Sequence, residues 1–547
     1  MMRTSIGIVL LLSSVVACTT HETRIISKDP NAKSPGGGDP TSETDGTDPD
    51  GTAAADPQQT PLSPLVEGLT ISEIAVFQGV KVSVVKSGSA ITGTKRNAPI
   101  VANRPALVRV YVAPDMGWAS KSVTAELRLV SESATTQTPI ARDTKTISKT
   151  STDQDANSTF NFEVDAASLP ADVTFQVALT AEDGVDPSTE SEARFPQDGT
   201  YASLGAKVSG TVRVVVVPVK YQADGSGRTP DVSQAQLDRY KQTMMARYPA
   251  ANVEVTARAP WAWNSTIGAN GTGFSQVLSA ITQLRQQDGV SDDTYYYGAL
   301  APAASFSKFC SSGCVAGLST VVDDVETAYL RASVGVGYTG DDSASTMAHE
   351  VGHAHGREHA PCGGAQGVDS GFPYAGGKIG VWGYDILEKT FHNPSSGTDM
   401  MGYCENVWVS DYTYSALFDR VSAVAKSVGQ TTSGKLPSGA SANANANVNV
   451  NAPAKMRVAT VAEDGSLSWG GEISAVRAPS GGELRSVAFL GDAGEEVGTE
   501  TAHFYPYDHL PGGVLVMPRD PSAKANLAAV KNWSAVRIQG IAQKLAR

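Results

Sequence analysis

The chain carries His349-Glu350-Val351-Gly352-His353-Ala354-His355-Gly356-Arg357-Glu358-His359, which reads H-E-x-x-H-x-x-G-x-x-H. On a helix, His349 and His353 lie on one face with their Cβ atoms about 6 Å apart, so that two ring nitrogens can bind one metal ion. Gly356 can adopt a positive φ and end the helix in a sharp turn, which would bring His359 back as a third ligand. The spacing therefore predicts a metal site of three histidines.

The acid beside the first histidine indicates a catalytic rather than a structural metal. Zn²⁺ held by three histidines keeps one position open for water and lowers the pKa of that water to about 7. The Glu350 carboxylate can take a proton from this water as general base. The alternative, a structural zinc site, usually has four protein ligands, mostly thiolates. An accidental pattern is excluded by frequency, because 8 His and 53 Gly among 547 residues would produce it with a probability of roughly 10⁻⁵.

The extended motif resembles the signature of the metzincin clan of zinc endopeptidases at every fixed position. Downstream, Thr398-Asp399-Met400-Met401-Gly402-Tyr403-Cys404 resembles the methionine turn of that clan, with Met401 in the Met-x-Tyr register. The resemblance implies that Met401 forms a hydrophobic floor beneath the three imidazoles. It also implies that Tyr403 lies near the metal and takes part in catalysis, as in astacin-like and serralysin-like members. Ordinary core packing is the alternative for both residues.

Departures from the named families narrow the resemblance. Ala360 follows the third histidine, where adamalysin-like members have aspartate, so that subfamily is disfavoured. No cysteine lies between Cys18 and the catalytic region, which disfavours the cysteine switch that silences matrixin zymogens. A gluzincin peptidase would take a glutamate as third ligand further downstream, but His359 at the metzincin spacing makes such a ligand superfluous.

The first residues predict export and anchoring. Met1-Met2-Arg3 is followed by an apolar run too short to span a bilayer as a mature helix, which is typical of a signal peptide. Val15-Val16-Ala17-Cys18 resembles a bacterial lipobox, which implies cleavage before Cys18, acylation of this residue, and anchoring at the outer membrane or cell surface. The alternative is a signal peptide with an incidental cysteine.

The other cysteines predict two disulfides. An even set in an exported protein favours pairing, and we expect Cys310–Cys314, closing a small loop, and Cys362–Cys404, stiffening the metal site. A cysteine metal site is the alternative.

The charged residues argue against nucleic acid as a partner and include two candidate Ca²⁺ sites. The formal net charge of −13 is the opposite of the basic character that nucleic-acid binding requires. The acidic pairs Asp323-Asp324 and Asp341-Asp342 can bind Ca²⁺, but solvated surface or a helix cap is the favoured interpretation.

Composition and periodicity predict an α+β protein in which a metzincin-type catalytic domain, with a mixed sheet and a zinc helix, is flanked by β-sandwich-like domains. Period-2 runs such as Leu107-Val108-Arg109-Val110-Tyr111-Val112 predict the first of these. An apolar strand at residues 211–219, later strands at 252–256 and 294–298, and helical periodicity at 234–248 and around 274–287 predict the catalytic domain. The predicted segments are 1–17 signal peptide, 18–64 acylated cysteine and disordered stalk, 65–209 β-sandwich, 210–430 catalytic domain, 431–454 low-complexity linker and 455–547 small β-rich domain.

The last helix of the catalytic domain is predicted from an apolar stripe that ends at Gly429. The helix is predicted to begin within residues 408–414, and by resemblance residues 408–412 would line the pocket for the residue after the cleaved bond. Aromatic core packing is the alternative for this segment.

Two functions remain open from the sequence. The first is an exported, membrane-anchored zinc endopeptidase that cuts extracellular proteins or glycoproteins, with substrate extended along an edge strand such as residues 317–321. The alternative is a surface-anchored protein that binds glycoproteins or polysaccharides and whose metal site is secondary or inactive. Retention of Glu350 argues against the alternative, because an inactive site needs no base.

Overall fold

The computed structural model describes residues 63–132, 140–432, 454–475, 477–518, 534–540 and 544–546. The predicted signal peptide, Cys18, nearly all of the predicted stalk and residues 433–453 of the predicted linker lie outside this set. The described residues belong to one compact unit, and its mixture of sheets with a few helices confirms the predicted α+β class. None of the helices in the described part combines the length and apolar character that crossing a bilayer requires.

The amino-terminal region is built from two antiparallel sheets that share an apolar core. Alternate residues of its strands, such as Val123, Ala125 and Leu127, are buried, as expected of sheets with one face against a core. The strands are β1 (Leu69–Phe77), β2 (Lys81–Lys86), β3 (Ser89–Ala90), β4 (Ala106–Pro114), β5 (Lys121–Val130), β6 (Ala141–Ile147), β7 (Phe160–Val164), β8 (Thr174–Thr180), β9 (Arg194–Phe195) and β10 (Ala202–Ser203). One sheet has the order β3-β2-β1-β4-β7, and the other β10-β8-β5-β6 with β9 beside β8.

The central region alternates strands with helices, in the order predicted. Its elements are β11 (Thr211–Tyr221), α1 (Gln234–Arg247), β12 (Asn252–Ala257), β13 (Trp261–Trp263), α2 (Phe274–Gln287), β14 (Thr294–Leu300), α3 (Phe306–Phe309), β15 (Gly317–Ser319), β16 (Ala332–Val336) and α4 (Asp341–Ala354). The sheet order is β12-β11-β14-β16-β15, with β13 also beside β11. All its neighbours are parallel except β15, which pairs antiparallel with β16 at the edge. Helix α4 packs against β15 and β16 and so lies next to this edge.

Short strands and one long helix complete the central region. These are β17 (Gly383–Asp385), β18 (Thr390–His392), β19 (Thr398–Asp399), β20 (Val407–Trp408) and α5 (Asp411–Thr432). The prediction that Gly429 ends the last helix is wrong, because α5 continues to Thr432. A glycine inside a helix costs only about 1 kcal/mol relative to alanine, which the rest of a long helix can offset.

The carboxy-terminal region is one antiparallel sheet of seven described strands. These are β21 (Ala454–Val461), β22 (Leu467–Ala475), β23 (Glu483–Leu490), β24 (Glu496–Pro506), β25 (Gly513–Pro518), β26 (Ala535–Ile538) and β27 (Lys544–Ala546), in the order β22-β21-β25-β24-β23-β26-β27. Period-2 alternation gives this sheet two apolar faces. Val458 packs into the same core as Leu318 and Val322 of the central region, whereas Ala459 and Val461 belong to a separate cluster. One face of the sheet therefore covers the edge of the central sheet near β15.

Candidate metal centre

Helix α4 brings the first two predicted ligands together. His349 and His353 are one turn apart, and their Nε2 atoms lie 3.1 Å from each other. The helix ends at Ala354, and Gly356 follows with a φ of 82°. A Cβ at Gly356 would lie 2.6 Å from the Val322 carbonyl oxygen, so the turn needs glycine both for its backbone conformation and for space.

The turn after α4 returns the third predicted ligand to the same point. His359 Nε2 lies 3.2 Å from His353 Nε2. The His359 N–H donates to the Gly367 carbonyl (3.2 Å), and the next N–H, of Ala360, donates to the Met401 carbonyl (3.0 Å). The backbone on both sides of the third histidine is therefore held by neighbouring loops.

The other ring nitrogen of each histidine faces a backbone carbonyl. His349 Nδ1 lies 2.7 Å from the Met400 oxygen, and His353 and His359 are paired in the same way with Arg357 and Gln366. A carbonyl can only accept, so each Nδ1 carries the proton and each Nε2 presents a lone pair.

Three lone pairs converge here, with His353 Nε2 within about 3 Å of each of the other two nitrogens, and such lone pairs repel unless a cation lies between them. Ligand nitrogens about 2.0–2.1 Å from a tetrahedral zinc are separated by about 3.3 Å, close to the two Nε2 separations of 3.1 and 3.2 Å. The residues therefore fit a bound metal ion.

Burial keeps the imidazoles neutral. Burial, with a smaller contribution from His359, lowers the pKa of His349 to about 4. Burial also lowers the pKa of His353 and of His359 below the ordinary value of a histidine. Neutral imidazole is the form that binds metals, so at neutral pH the three side chains need no deprotonation before they bind.

Glu350 lies beside the three histidines on the side of β15. Its side chain is buried, and its Oε2 atom has no hydrogen-bond partner among the described residues. A Cβ on Gly317 of β15 would lie only 2.3 Å from Oε1, so the carboxylate rests against bare backbone. Burial, and after it the nearby Asp508 carboxylate, raises the pKa of Glu350 well above its ordinary value. A carboxyl group whose pKa is raised in this way is more basic than an exposed one and is suited to taking and returning a proton.

The methionine turn lies beneath α4. Met401 is buried, and a Cβ on Gly352 of the helix would come within 2.6 Å of its sulfur. Asp399 shapes the turn, because its two carboxylate oxygens accept from the N–H groups of Met401 and Ser410, each at 2.8 Å. The sequence analysis gave Asp399 no role.

Tyr403 stands at the open side of the centre. Its side chain is 46% exposed, and its hydroxyl lies 2.8 Å from His359 Nε2. The phenol therefore borders both the solvent and the position of the metal.

Both predicted disulfides are present. The Cα atoms of Cys310 and Cys314 are 4.8 Å apart, and those of Cys362 and Cys404 are 5.7 Å apart. The second bridge joins the loop after His359 to the methionine turn, where the Tyr403 N–H also donates to the Cys362 carbonyl at 3.1 Å. It braces the two segments that carry the third ligand and the phenol.

A cleft of about 500 Å³ opens beside the histidines. His349, Glu350 and Tyr403 line it, together with His509 and Leu510 from the carboxy-terminal region. A peptide lying in this cleft would pass both the metal position and the buried acid.

Residues 256–407 match the family model of peptidase M66. The matched segment contains α4, the three histidines, Glu350 and the methionine turn. No curated protein matches the chain. Together with the histidine cluster, the family match supports a metallopeptidase.

A fourth potential ligand comes from outside the matched segment. Asp508 follows β24, and its Oδ2 atom lies 3.5 Å from His353 Nε2, with both side chains fully buried. One ligand atom from each of the three histidines and Asp508 lies within 4.8 Å of the others. The sequence analysis missed this residue, because an aspartate at the end of a strand in a separate sheet has no spacing relation to the histidine motif.

Two aromatic residues near the start of α5, Trp408 of β20 and Tyr412 of the first helical turn, have protein partners outside the cleft. Trp408 is buried, donates from Nε1 to the Gly79 carbonyl (2.7 Å) and stacks on His392 with ring centroids 3.8 Å apart. The Tyr412 hydroxyl donates to Asp369 (2.8 Å). The expectation that Trp408 lines a substrate pocket is wrong, because the strand β20 directs its indole toward the amino-terminal region. Residues 409–412 are not among those that line the cleft beside the histidines.

Two further groups have structural partners. His355, the remaining histidine of the motif, is buried, bonds to the Val351 carbonyl and stacks on Tyr295. The carboxylates weighed as Ca²⁺ ligands have protein partners: Asp323 and Asp324 accept from the Gly482 and Gly481 N–H groups of the carboxy-terminal region. In the other pair, Asp341 forms an ion pair with Arg239.

Proposed function

We propose that the chain is a zinc-dependent endopeptidase of the metzincin type that hydrolyses peptide bonds of extracellular proteins or glycoproteins. The observation that carries this proposal is the convergence of three Nε2 lone pairs beside an acid, Glu350, whose Oε2 atom has no described partner. Three imidazoles can form the protein ligand set of a catalytic zinc, which keeps its fourth position for water or substrate. The buried Met401 beneath α4 and the peptidase M66 match further support this assignment.

When bound, Zn²⁺ supplies a Lewis acid that polarises a carbonyl and acidifies a water. Glu350 takes the proton of the attacking water on Oε2 and returns it to the leaving amine. The bare backbone at Gly317 holds this carboxylate in place. Tyr403 faces the cleft, where its hydroxyl can donate to the carbonyl oxygen of the scissile bond as negative charge develops there.

We further propose that the enzyme works outside the cytoplasm, on a lipid anchor at Cys18 in the outer membrane or at the cell surface. The lipobox-like sequence before Cys18 supports the anchor. The two disulfides support export, because such bonds persist in oxidising compartments. The lipid would provide the only membrane contact, and the acidic chain would not bind nucleic acid.

The test compares two glutamates of the same motif. Glu350→Gln removes the base, whereas Glu358→Gln changes an exposed residue one position before the third histidine. We expect all three proteins to bind about one zinc, and Glu350→Gln alone to lower kcat/KM on unfolded casein by about 10²–10⁴-fold. Zinc content is measured by atomic emission and cleavage by fluorescence. Cleavage that survives Glu350→Gln, or that is equally fast after removal of zinc, would contradict the proposal.

A further inference from the structure

A short segment of the carboxy-terminal region lies along the edge of the central sheet. Residues 506–510, here called the docking segment, run antiparallel to β15 and the residues after it. The Val321 N–H donates to the Pro506 carbonyl (3.0 Å), and the Asp508 N–H donates to the Ser319 carbonyl (3.1 Å). An edge strand can pair in this way with any extended peptide. The docking segment therefore occupies the edge along which a peptide substrate is expected to lie.

The Asp508 carboxylate reaches the metal position. Its Oδ2 atom lies 3.5 Å from His353 Nε2, only slightly more than the separations between the ligand nitrogens themselves. Its Oδ1 atom accepts from the Ser319 N–H at 3.0 Å, and His509 bonds to Oδ2. A fully buried carboxylate is costly unless charge compensates it. A cation among the three histidines would supply that charge.

The central region makes room for the docking segment. A Cβ on Gly367 would lie 2.8 Å from the Asp508 carbonyl oxygen, and a Cβ on Gly271 would lie 3.0 Å from the Leu510 side chain. His509 and Leu510 border the cleft, whose other wall carries His349 and Tyr403. The docking segment thus contributes part of the wall of the cleft beside the metal position.

The docking segment is continuous with a well-packed sheet. Tyr505, directly before it, is buried, and its hydroxyl bonds to both Asp324 and Thr327 of the central region. Tyr507 belongs to the core shared by the two regions. The sheet therefore holds Asp508 close to the histidines without any covalent link.

We propose that the docking segment is an intramolecular inhibitor of the metal centre, with Asp508 as the fourth metal ligand. The inference rests on the proposed function. Four protein ligands complete a tetrahedron and leave no position for water, which is the arrangement of a closed site. Release of the segment exposes both the fourth coordination position of the metal and the edge of β15. Substrate binds only in that released state.

The experiment uses the full chain and three variants. Asp508→Asn keeps the shape of the side chain and an acceptor for the Ser319 N–H, and Asp508→Ala removes the ligand altogether. Asp492→Asn is the matched control, an exposed aspartate in a turn of the same sheet. Thermal melting establishes that each protein is folded. Each is then loaded with Co²⁺ for visible absorption, tested for Zn²⁺ affinity against a chromophoric chelator, and titrated with acetohydroxamic acid as a small metal-binding anion.

We expect the control to match the wild type in every measurement. Both Asp508 variants should change the Co²⁺ spectrum and bind Zn²⁺ at least about tenfold more weakly, because a metal ligand is lost. They should bind acetohydroxamic acid at least about tenfold more tightly, because the fourth coordination position is free. A tenfold change corresponds to about 1.4 kcal/mol. With saturating Zn²⁺, they should also cleave unfolded casein faster than the wild type.

The outcomes separate the ligand, the inhibition and the enzymatic activity. An unchanged Co²⁺ spectrum and Zn²⁺ affinity in Asp508→Asn overturn the ligand assignment. Weaker Zn²⁺ binding without tighter acetohydroxamic acid binding overturns the inhibitory role and indicates a closed structural site. If the metal measurements change as expected while casein stays intact in every variant, the inference stands and the proposed peptidase function fails.

Discussion

The two β regions that flank the central sheet contact it in different ways. The amino-terminal region meets it behind the methionine turn, where Gly79 accepts from Trp408 and Gln78 accepts from Tyr414 through backbone carbonyls. The carboxy-terminal region meets it at the edge strand and places the carboxylate of Asp508 among the histidines. Both contacts include apolar packing, but only the second brings a potential metal ligand to the histidines.

Because of this difference, the amino-terminal contact should mainly affect the stability of the fold, and the carboxy-terminal contact should mainly affect access to the metal centre. The amino-terminal contact is built from buried hydrogen bonds and apolar packing that include no metal ligand, so its loss should lower the free energy of unfolding. The carboxy-terminal contact covers the edge of β15 and lines part of the cleft, so its loss should change what the centre can bind. Substitutions in each region can therefore test whether the two contacts have these different roles.

The largest effect on stability is expected for Arg104→Ala in the amino-terminal region. Arg104 is fully buried, and its guanidinium donates to the carbonyls of Gln78, Met245 and Ala250. The Gln78 carbonyl keeps the Tyr414 hydroxyl as a donor, but truncation leaves the Met245 and Ala250 carbonyls without the guanidinium, at about 1–3 kcal/mol each, and leaves a cavity in the core. We therefore expect a loss of at least about 3 kcal/mol. Urea unfolding measures it.

Arg239→Ala is the control for Arg104→Ala. Arg239 is 45% exposed and pairs with the exposed Asp341, so its loss should change stability by no more than about 0.5 kcal/mol. The folded Arg104→Ala protein should bind zinc as tightly as the wild type. A variant that is stable but binds zinc poorly would contradict the division between the two regions.

The next effect is expected for Asp324→Ala, at the base of the docked sheet. The buried Asp324 accepts from the N–H groups of Thr327 (2.8 Å) and Gly481 (2.9 Å) and from the Tyr505 hydroxyl. Its removal leaves the two N–H groups unpaired, whereas the Tyr505 hydroxyl keeps Thr327 as a partner, for a loss of about 2 kcal/mol. The substitution should accelerate hydrogen exchange in β24 more than in β1. Equal changes in both strands would show that the carboxy-terminal sheet does not open separately.

Local spacing explains what the sequence predicts well. The three histidines, Glu350 and Gly356 lie within eleven residues, so that the helical repeat and one glycine turn determine their arrangement. The helix Phe274–Gln287 and the order of strands and helices follow from apolar periodicity in the same way. The cysteine pairs follow from their even number and from the position of Cys362 and Cys404 on either side of the metal site.

Docking between distant segments explains what the sequence does not predict. Asp508 reaches the centre only because a whole sheet packs on β15, and no pattern around Asp508 encodes that contact. The same holds for Trp408, whose strand position directs it toward Gly79 rather than the cleft. The end of α5 was misjudged for a local reason, since a glycine near the end of an apolar stripe fits both a helix interior and a helix end.

A smaller effect, on catalysis rather than stability, is expected for Gly317→Ala at the strand that the docking segment covers. The added methyl group would meet the Glu350 carboxylate, at 2.3 Å from Oε1, and force it to move. We expect kcat/KM to fall at least about tenfold, equivalent to about 1.4 kcal/mol, with zinc content unchanged. Full activity would mean that Glu350 moves freely or is not the base.

The smallest effect is expected at Gly429, a position where neither flanking region should matter. A Cβ there would meet no atom of the described residues within 4 Å, and α5 continues beyond it. Alanine inside a helix is favoured over glycine by up to about 1 kcal/mol, so Gly429→Ala should stabilise the protein. If Gly429 instead ended the helix with a positive φ, alanine would be strained and the same substitution would destabilise it. The sign of the change in urea unfolding, with zinc affinity and cleavage unchanged, therefore decides where α5 ends.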